Sequence, residues 1–242
     1  MAETDQDFGL HEDWESVLKT LEAIIPVYDK TNRFISLGTD LKIRNEGLQD
    51  LETLIGKDNF SVLDLGCGTG KMSQLLQKNS KDKSVEIVLT DPLRKMLQVA
   101  RSKVDNDALI CVYESLPIRP KSFDAAMAGF SLRDAKRLSI ALLEIHALLK
   151  DNGKFLIVDL SKPNSRLRRS IIGAYWKLFA PLVAFIAAGR LGLQFGALST
   201  TYKRLPKISD LLDITRAAGF ELLVSKYSML GGACLIVLSK AA

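Results

Sequence analysis

The sequence predicts an α/β fold: a mostly parallel, seven-stranded sheet wound with helices, preceded by N-terminal helices, interrupted by a helical apolar insert and ended by an antiparallel C-terminal strand. Three observations predict it. Between 61 and 160, short apolar runs alternate with stretches of helical period, as buried parallel strands and their crossovers require. A glycine-rich loop, Asp64-Leu65-Gly66-Cys67-Gly68-Thr69-Gly70, closes the first run. The last two runs, 220–227 and 233–238, are joined through Gly231-Gly232 as an antiparallel pair.

Along the chain, Val17, Leu18, Leu21, Ile24 and Ile25 recur at helical spacing, as do Leu48, Leu51, Leu54 and Ile55 before Gly56. Strands follow at 62–65, 85–89, 108–112, 123–128 and 154–160, with helices at 71–79, 92–103 and 135–150 between them. After Pro163 an apolar insert runs to about 198, then a helix covers 208–218. Residues 1–15 carry Glu3, Asp5, Asp7, Glu12 and Asp13 without an apolar stretch, which excludes a secretory signal and predicts a mobile acidic tail.

Composition bounds the rest. A chain of 242 residues, 47% hydrophobic, has the core for one main domain. Cys67, Cys111 and Cys234 form no C-x-x-C pair, which argues against a zinc site or a disulfide framework and for a reducing, cytoplasmic setting; no metal is expected. The net charge of +5 fits anionic lipid, nucleic acid or plain solubility equally.

Three nucleotide motifs compete for the glycine loop. A P-loop needs glycine five positions before Gly70 and a hydroxyl after Lys71, where the chain has Leu65 and Met72. A dinucleotide fingerprint from Gly66 needs its third glycine at Lys71. What remains, Asp-x-Gly-x-Gly-x-Gly at a strand end, resembles the first motif of class I S-adenosylmethionine-dependent methyltransferases and implies their Rossmann-like fold. The cofactor has no pyrophosphate, so glycines need only let its amino-acid end approach the backbone. Asp64 suits the ammonium and sulfonium, and Asp91, 21 residues after Gly70, suits the ribose hydroxyls. Asp91 also reads as a cap before Pro92, and the two readings are compatible.

Three further segments resemble the C-methyltransferases of menaquinone and ubiquinone biosynthesis. Residues 28–36, Tyr28-Asp29-Lys30-Thr31-Asn32-Arg33-Phe34-Ile35-Ser36, resemble Tyr-Asp-x-Met-Asn-x-x-aliphatic-Ser, with Asp40 where that family has histidine. Phe130-Ser131-Leu132-Arg133-Asp134 is similar to Phe-Gly-Leu-Arg-Asn. Residues 149–163 resemble Leu-Lys-Pro-Gly-Gly-x-x-x-x-x-Glu-x-Ser-Lys-Pro, with Asp159 at the acidic position. The resemblance implies C-methylation of a lipophilic quinol ring and a cofactor site drawn from Tyr28, Asp64, Gly66, Cys67, Gly68, Gly70, Asp91, Pro92, Glu114 and Gly129, with Glu114 standing in for the family's adenine-facing aspartate. It divides the chain into a tail and helical lid, 1–55, and a cofactor-binding domain, 56–242, capped by the insert at about 164–206.

In-line transfer of a methyl group asks the protein mainly to position the acceptor and exclude water. For a phenolic ring a cation beside the developing phenolate helps, and Arg133 is the candidate. Asp134 or Asp40 is the candidate proton acceptor, each equally readable as a helix cap. His11, in the tail, and His146, on an apolar helix, are poor bases. N- or O-methylation of another small molecule or lipid is the alternative reading. A nucleic-acid methyltransferase, suggested by Lys162, Arg166, Arg168, Arg169, Lys203, Arg204 and Lys207, lacks its Asn/Asp-Pro-Pro-aromatic turn, since 129–132 read Gly-Phe-Ser-Leu. A non-catalytic scaffold is disfavoured by the intact loop. The stretch 170–189 is long enough to span a bilayer, for which about 20 residues suffice, but Lys177 and Pro181 disfavour a span. The segment is expected to lid the acceptor pocket and dock peripherally on lipid; a core helix or a homodimer interface is the alternative.

Overall fold

The computed structural model describes residues 8–241, those of 196–200 by backbone alone. Three helices lead, α1 (Trp14–Ile24), α2 (Tyr28–Ile35) and α3 (Thr39–Ile55). The sheet follows: β1 (Asn59–Leu65), α4 (Lys71–Asn79), β2 (Ser84–Thr90), α5 (Arg94–Arg101), β3 (Asp107–Leu109), β4 (Phe123–Gly129), α6 (Leu138–Leu148) and β5 (Leu149–Leu160). The insert holds α7 (Arg166–Ala174), a π-helical turn (Tyr175–Phe179), α8 (Ala180–Ala188), a 3-10 stretch (Gly189–Gly196) and α9 (Ala197–Arg204). Helix α10 (Ile208–Ala217), β6 (Phe220–Ser228) and β7 (Ala233–Lys240) complete the chain.

The sheet order is β3-β2-β1-β4-β5-β7-β6, and β7 alone runs against the others, pairing antiparallel with both β5 and β6. Side chains of β5 alternate as the pleat demands. Phe155 and Ile157 join Leu142, Ile145 and Phe220 on one face; Leu156 and Val158 join Leu48, Leu51 and Leu76 on the other. Strands with no polar face had read as continuous apolar runs because helices cover both sides. The chain order reverses between β1 and β4, opening a crevice beyond their carboxyl ends, where an open α/β sheet receives its ligand.

Several boundaries differ from the sequence reading. β3 stops at Leu109, because the chain turns at 112–115, with Ser115 N–H donating to the Val112 carbonyl at 3.1 Å. α6 ends at Leu148, since Leu149 already pairs with Phe123 and a bend at Asn152, with φ 61°, precedes the main ladder. Pro181 does not break the insert: the π-turn before it brings the proline to the start of α8, where its missing N–H costs little.

The expectation of a mobile tail through residue 15 fails from Phe8 onward, while Glu3, Asp5 and Asp7 lie outside the described residues. Leu10 is wholly buried, its N–H donates to the Ala135 carbonyl at 2.9 Å, and Leu138 N–H donates to the Phe8 carbonyl at 2.7 Å. Trp14 lies under the Lys136 ammonium, 3.8 Å from its ring centroid. Two apolar anchors and three main-chain bonds, the third from His11 N–H to the Lys136 carbonyl at 3.1 Å, outweigh the solubility of the surrounding acids. Leu10→Ala should therefore lower unfolding stability by about 2–4 kcal/mol in urea melts, as burial of a leucine predicts. A loss below about 0.5 kcal/mol would return 8–13 to the status of a tail.

Candidate active site

At the end of β1 the chain turns through Gly66 and Gly68, whose φ angles are 57° and 54°. A Cβ on Gly66 would lie 2.7 Å from the Ser131 Cβ, so glycine is needed there for close approach as well as for conformation. Asp91 holds the turn from the end of β2: its Oδ2 accepts from Gly68 N–H and its Oδ1 from Leu93 N–H, each at 2.9 Å. Burial raises the Asp91 carboxyl to about 6, against the pull of those two donors.

Asp64 lies behind the loop, fully buried. Its Oδ2 accepts from Ser73 Oγ at 2.6 Å, and Oδ1 has no hydrogen-bond partner. Burial raises its pKa to about 7, with Ser73 and Arg44 opposing and Asp91 adding to the rise. An orphaned carboxylate oxygen beside a second acid, Asp91, is costly without a cation.

A cavity of about 570 Å³ opens in front of the loop. Its sheet side holds Gly66, Cys67, Gly68, Asp91, Pro92, Gly129 and Asp134; its lid side holds Tyr28, Asp40 and Arg44, with Trp14, Leu18 and Leu21 at the apolar end. The lid is latched through Asp29, which accepts from Thr69 Oγ1 at 2.7 Å and from Lys103 Nζ at 3.0 Å. Nine sequence-nominated residues thus share one cavity: Tyr28, Asp40, Gly66, Cys67, Gly68, Asp91, Pro92, Gly129 and Asp134.

Four nominated residues lie outside that wall. Gly70 caps α4, and Asp64 backs the loop. Glu114 accepts from Arg137 N–H at 2.9 Å; the neighbouring Tyr113 faces the cavity instead, its hydroxyl donating to the Leu65 carbonyl at 3.0 Å. Arg133 is buried and committed: Nη1 donates to Asp159 Oδ1 at 2.7 Å and its backbone N–H to Asp159 Oδ2 at 3.0 Å. Burial works against the Arg133 charge, but Asp134 and Asp159 overcome it and hold the guanidinium protonated. Burial also raises Asp134 to about 6, with Arg133 pulling the other way.

Arg44 is the residue the sequence reading missed. Its guanidinium lies 4.7 Å from the Phe130 ring centroid, it lines the cavity, and its Nε has no hydrogen-bond partner. Burial lowers its pKa, while Tyr28, Asp40 and Asp64 support its charge. The available signal was its place four residues after Asp40, one turn along the same helix face.

This arrangement fits S-adenosylmethionine. A Cβ at Gly68 would meet nothing within 4 Å, so the loop backbone faces open space. Asp91 keeps lone pairs for a diol, and the unpartnered Asp64 oxygen calls for positive charge. The strand order, the glycine turn at the β1/β4 crevice and the acid ending β2 define a class I S-adenosylmethionine-dependent methyltransferase.

The model of the ubiE/COQ5 methyltransferase family matches residues 10–240, and the chain belongs to that family. It is 29% identical over 206 residues to a demethylmenaquinone methyltransferase of Thermotoga maritima, covering 84% of this chain and 87% of the relative. It is 26% identical over 234 residues to a ubiquinone/menaquinone biosynthesis C-methyltransferase of Campylobacter jejuni, covering 93% and 98%. A solved structure of 1,6-didemethyltoxoflavin-N1-methyltransferase from Burkholderia thailandensis, with S-adenosylhomocysteine bound, shares the fold at a TM-score of 0.57 and 16% identity, over 91% of this chain and 89% of that one.

Asp64 yields a test with a defined sign. Its folded pKa, about 7, exceeds the ordinary 3.8, so the folded chain keeps a proton that the unfolded chain gives up. That contribution is complete below the unfolded value and is lost as pH rises through 7. Asp64→Asn should be more stable than wild type at pH 8, by up to about 4 kcal/mol in the cofactor-free protein, with the gap narrowing as pH falls from 7 toward 4. The same variant should bind S-adenosylmethionine at least about tenfold more weakly by calorimetry, one charge-assisted contact being worth about 1.5–3 kcal/mol. Wild-type affinity in the variant would remove Asp64 from cofactor recognition.

Proposed function

We propose that this enzyme C-methylates the ring of a lipophilic hydroquinone in menaquinone- or ubiquinone-type biosynthesis, with Asp40 taking the phenolic proton and Arg44 stabilising the phenolate. The observation that carries the assignment is the pair itself. Asp40 and Arg44 stand one turn apart on α3, line one cavity, and face it beside the Phe130 ring. A ring carbon becomes nucleophilic when its hydroxyl gives up a proton, so an acceptor and a cation on one wall are what the step needs.

The family resemblance supports Asp40 over Asp134. Asp40 stands where the family motif has histidine, a proton acceptor, whereas Asp134 stands where it has asparagine, which accepts none at neutral pH. Ser36 Oγ donates to Asp40 Oδ1 at 2.9 Å and fixes the carboxylate. Arg133 is reassigned from phenolate partner to positioning residue: bound to Asp159, it anchors the 130–134 turn that carries Phe130 and Asp134. When bound, S-adenosylmethionine would supply an electrophilic methyl and keep the electron pair on sulfur; the ring carbon that takes the methyl then gives up its own hydrogen as a proton, which restores the aromatic ring while the phenolate oxygen is reprotonated. Tyr28, Trp14 and the lid helices keep water from that carbon.

The insert supports a peripheral place on lipid for an otherwise cytoplasmic enzyme. Arg166–Phe195 is a helical run of 30 residues with mean hydropathy 1.8 over its most apolar window, long and apolar enough to cross a membrane, yet one side of it is built into the protein. Trp176, Ala180 and Ala184 are buried against Ile24 and Ile35, and Tyr175 donates to the Ile35 carbonyl at 2.6 Å. The other side exposes Leu167, Leu178, Phe179, Leu182 and Ile186, and on α2 the half-exposed Phe34 continues the apolar surface to the cavity. A helix apolar on its outer face beside a greasy entrance suits a substrate whose tail stays in lipid.

Asp40→Asn should lower kcat about 10²- to 10⁴-fold on a short-tailed demethylated menaquinol while leaving cofactor affinity unchanged, and Asp134→Asn should cost less than tenfold. The reverse ranking would make Asp134 the base. Wild type should float with liposomes, and Leu182→Ser with Ile186→Ser should release it. Absence of flotation, with those two leucine and isoleucine positions mediating a dimer on size exclusion, would assign the face to a second copy.

A further inference from the structure

Away from the methyl-transfer cavity, two concavities of about 770 and 460 Å³ share Lys162, Arg169 and Lys203 and form one basic groove. One wall is the insert, where Arg166, Arg169 and Lys177 recur at helical spacing; the other carries Lys162, Lys203 and Lys207. Among the described residues these six cations make no ion pair, and Asp210 is the one carboxylate on the groove wall. Arg204, at the rim, is already paired with Asp13 at 2.6 Å. Lys162 donates to the Lys203 carbonyl at 2.8 Å and Arg169 to the Pro163 carbonyl at 3.0 Å, so the backbone holds both side chains in place. Burial, and then repulsion from Arg169 and Lys207, lowers the Lys162 pKa. Crowded like charges of this kind are relieved by an anion.

An independent observation points the same way. Tyr202 lines the groove, is 6% exposed, and its hydroxyl has no hydrogen-bond partner. Trp176 stacks on its ring with centroids 6.3 Å apart, so the phenol cannot swing out to water without unpacking the insert. A buried hydroxyl left unpaired costs stability unless a ligand completes it. The groove also shares its helix with the exposed apolar face: positions 166, 169, 173 and 177 face the groove, and Leu167, Ile171 and Leu178 lie on the adjoining stripe. Cations in a concavity, a phenol donor and a neighbouring apolar stripe are the three parts of a headgroup site.

We propose that this groove binds the phosphate of an anionic phospholipid headgroup, with the acyl chains lying along the exposed face of the insert. The assignment rests on the membrane-docked reading of the insert, and adds to it a specific lipid class at a defined pocket. Tyr202 donates to a phosphate oxygen, and Arg166, Lys177, Lys203 and Lys207 supply the charge. Such a site also turns the insert so that its apolar face meets the bilayer.

The test uses the full chain and two kinds of probe. In calorimetry with dihexanoyl phosphatidate below its micelle concentration, wild type binds; dihexanoyl phosphatidylcholine binds at least tenfold more weakly, and inorganic phosphate does likewise. Arg166→Glu with Lys203→Glu weakens phosphatidate about 25-fold or more, at about fivefold per cation lost. Tyr202→Phe weakens it about threefold to tenfold while raising the melting temperature slightly, a readout that a merely structural hydroxyl would not give. Equal affinity for phosphatidylcholine, indifference to the charge reversals, or inorganic phosphate binding as tightly as phosphatidate would each overturn the proposal. Flotation of wild type on vesicles containing phosphatidylglycerol separates this site from the docking reading. Floating without phosphatidate binding overturns the groove alone; phosphatidate binding without floating overturns the docking and leaves the groove standing.

Discussion

Asp91 is the constraint on which the site depends. One carboxylate at the end of β2 accepts from Gly68 and from Leu93, and so fixes the turn after β1 and the start of the segment leading to α5 in a single clamp. Cys67 N–H adds a bond to the Thr90 carbonyl at 2.8 Å, drawing the loop across the ends of both strands. Every other feature of the cavity is placed relative to that turn. Asp64 is sealed behind it, Ser131 touches it, and Asp29 latches the lid helices to Thr69 within it. The cost is two buried acids whose charges are undercompensated in the protein alone, a local destabilisation that a cationic ligand reverses.

The second layer is a division of labour between two buried arginines. Arg133 has its charge consumed by Asp159 and serves the backbone of the 130–134 turn. Arg44 makes no ion pair among the described residues; it rests on Phe130 at the cavity wall, its Nε without a hydrogen-bond partner. Phe130 itself holds a left-handed conformation, φ 58°, with its N–H donating to the Val158 carbonyl at 2.6 Å. Strain at a bulky residue of this kind persists only where the surroundings over-determine it, and here they comprise the Arg133 anchor below and Arg44 above. A guanidinium held against an aromatic ring at a cavity wall has donors free to meet an anionic group.

The insert faces two ways. Its inner side, through Trp176, Ala184 and Tyr175, is part of the lid's own core, so the insert is packed directly on the helices that close the cavity. Small residues at Ala180 and Ala184 let α8 lie close on α2. The outer side is apolar without being enclosed, and basic residues sit on the stripe beside it. The exposed apolar face and the wall of the lid therefore share one structural element.

Much of this was legible in the letters, for reasons that differ by residue. Strand and helix alternation survives in sequence because burial on both faces forces apolar runs. The glycine turn survives because positive φ and close approach to Ser131 admit no side chain, and Asp64 and Asp91 because strand ends sit at fixed places in the pattern. The roles of Arg133, Arg44 and Glu114 were not legible. Each depends on which distant group meets it: Asp159 neutralises Arg133 across 26 residues of sequence, Arg137 draws Glu114 away, and Arg44, supported only through space by Tyr28, Asp40 and Asp64, makes no ion pair among the described residues. The docking of Phe8 and Leu10 likewise needed a surface supplied by residues 135–138. Local periodicity and local sterics are written in the chain itself and determined its fold class and its cofactor loop. Charge pairing between segments far apart in sequence exists only once the sheet brings them together, so the tertiary structure alone decided which ionisable groups are spent on stability and which are left for chemistry.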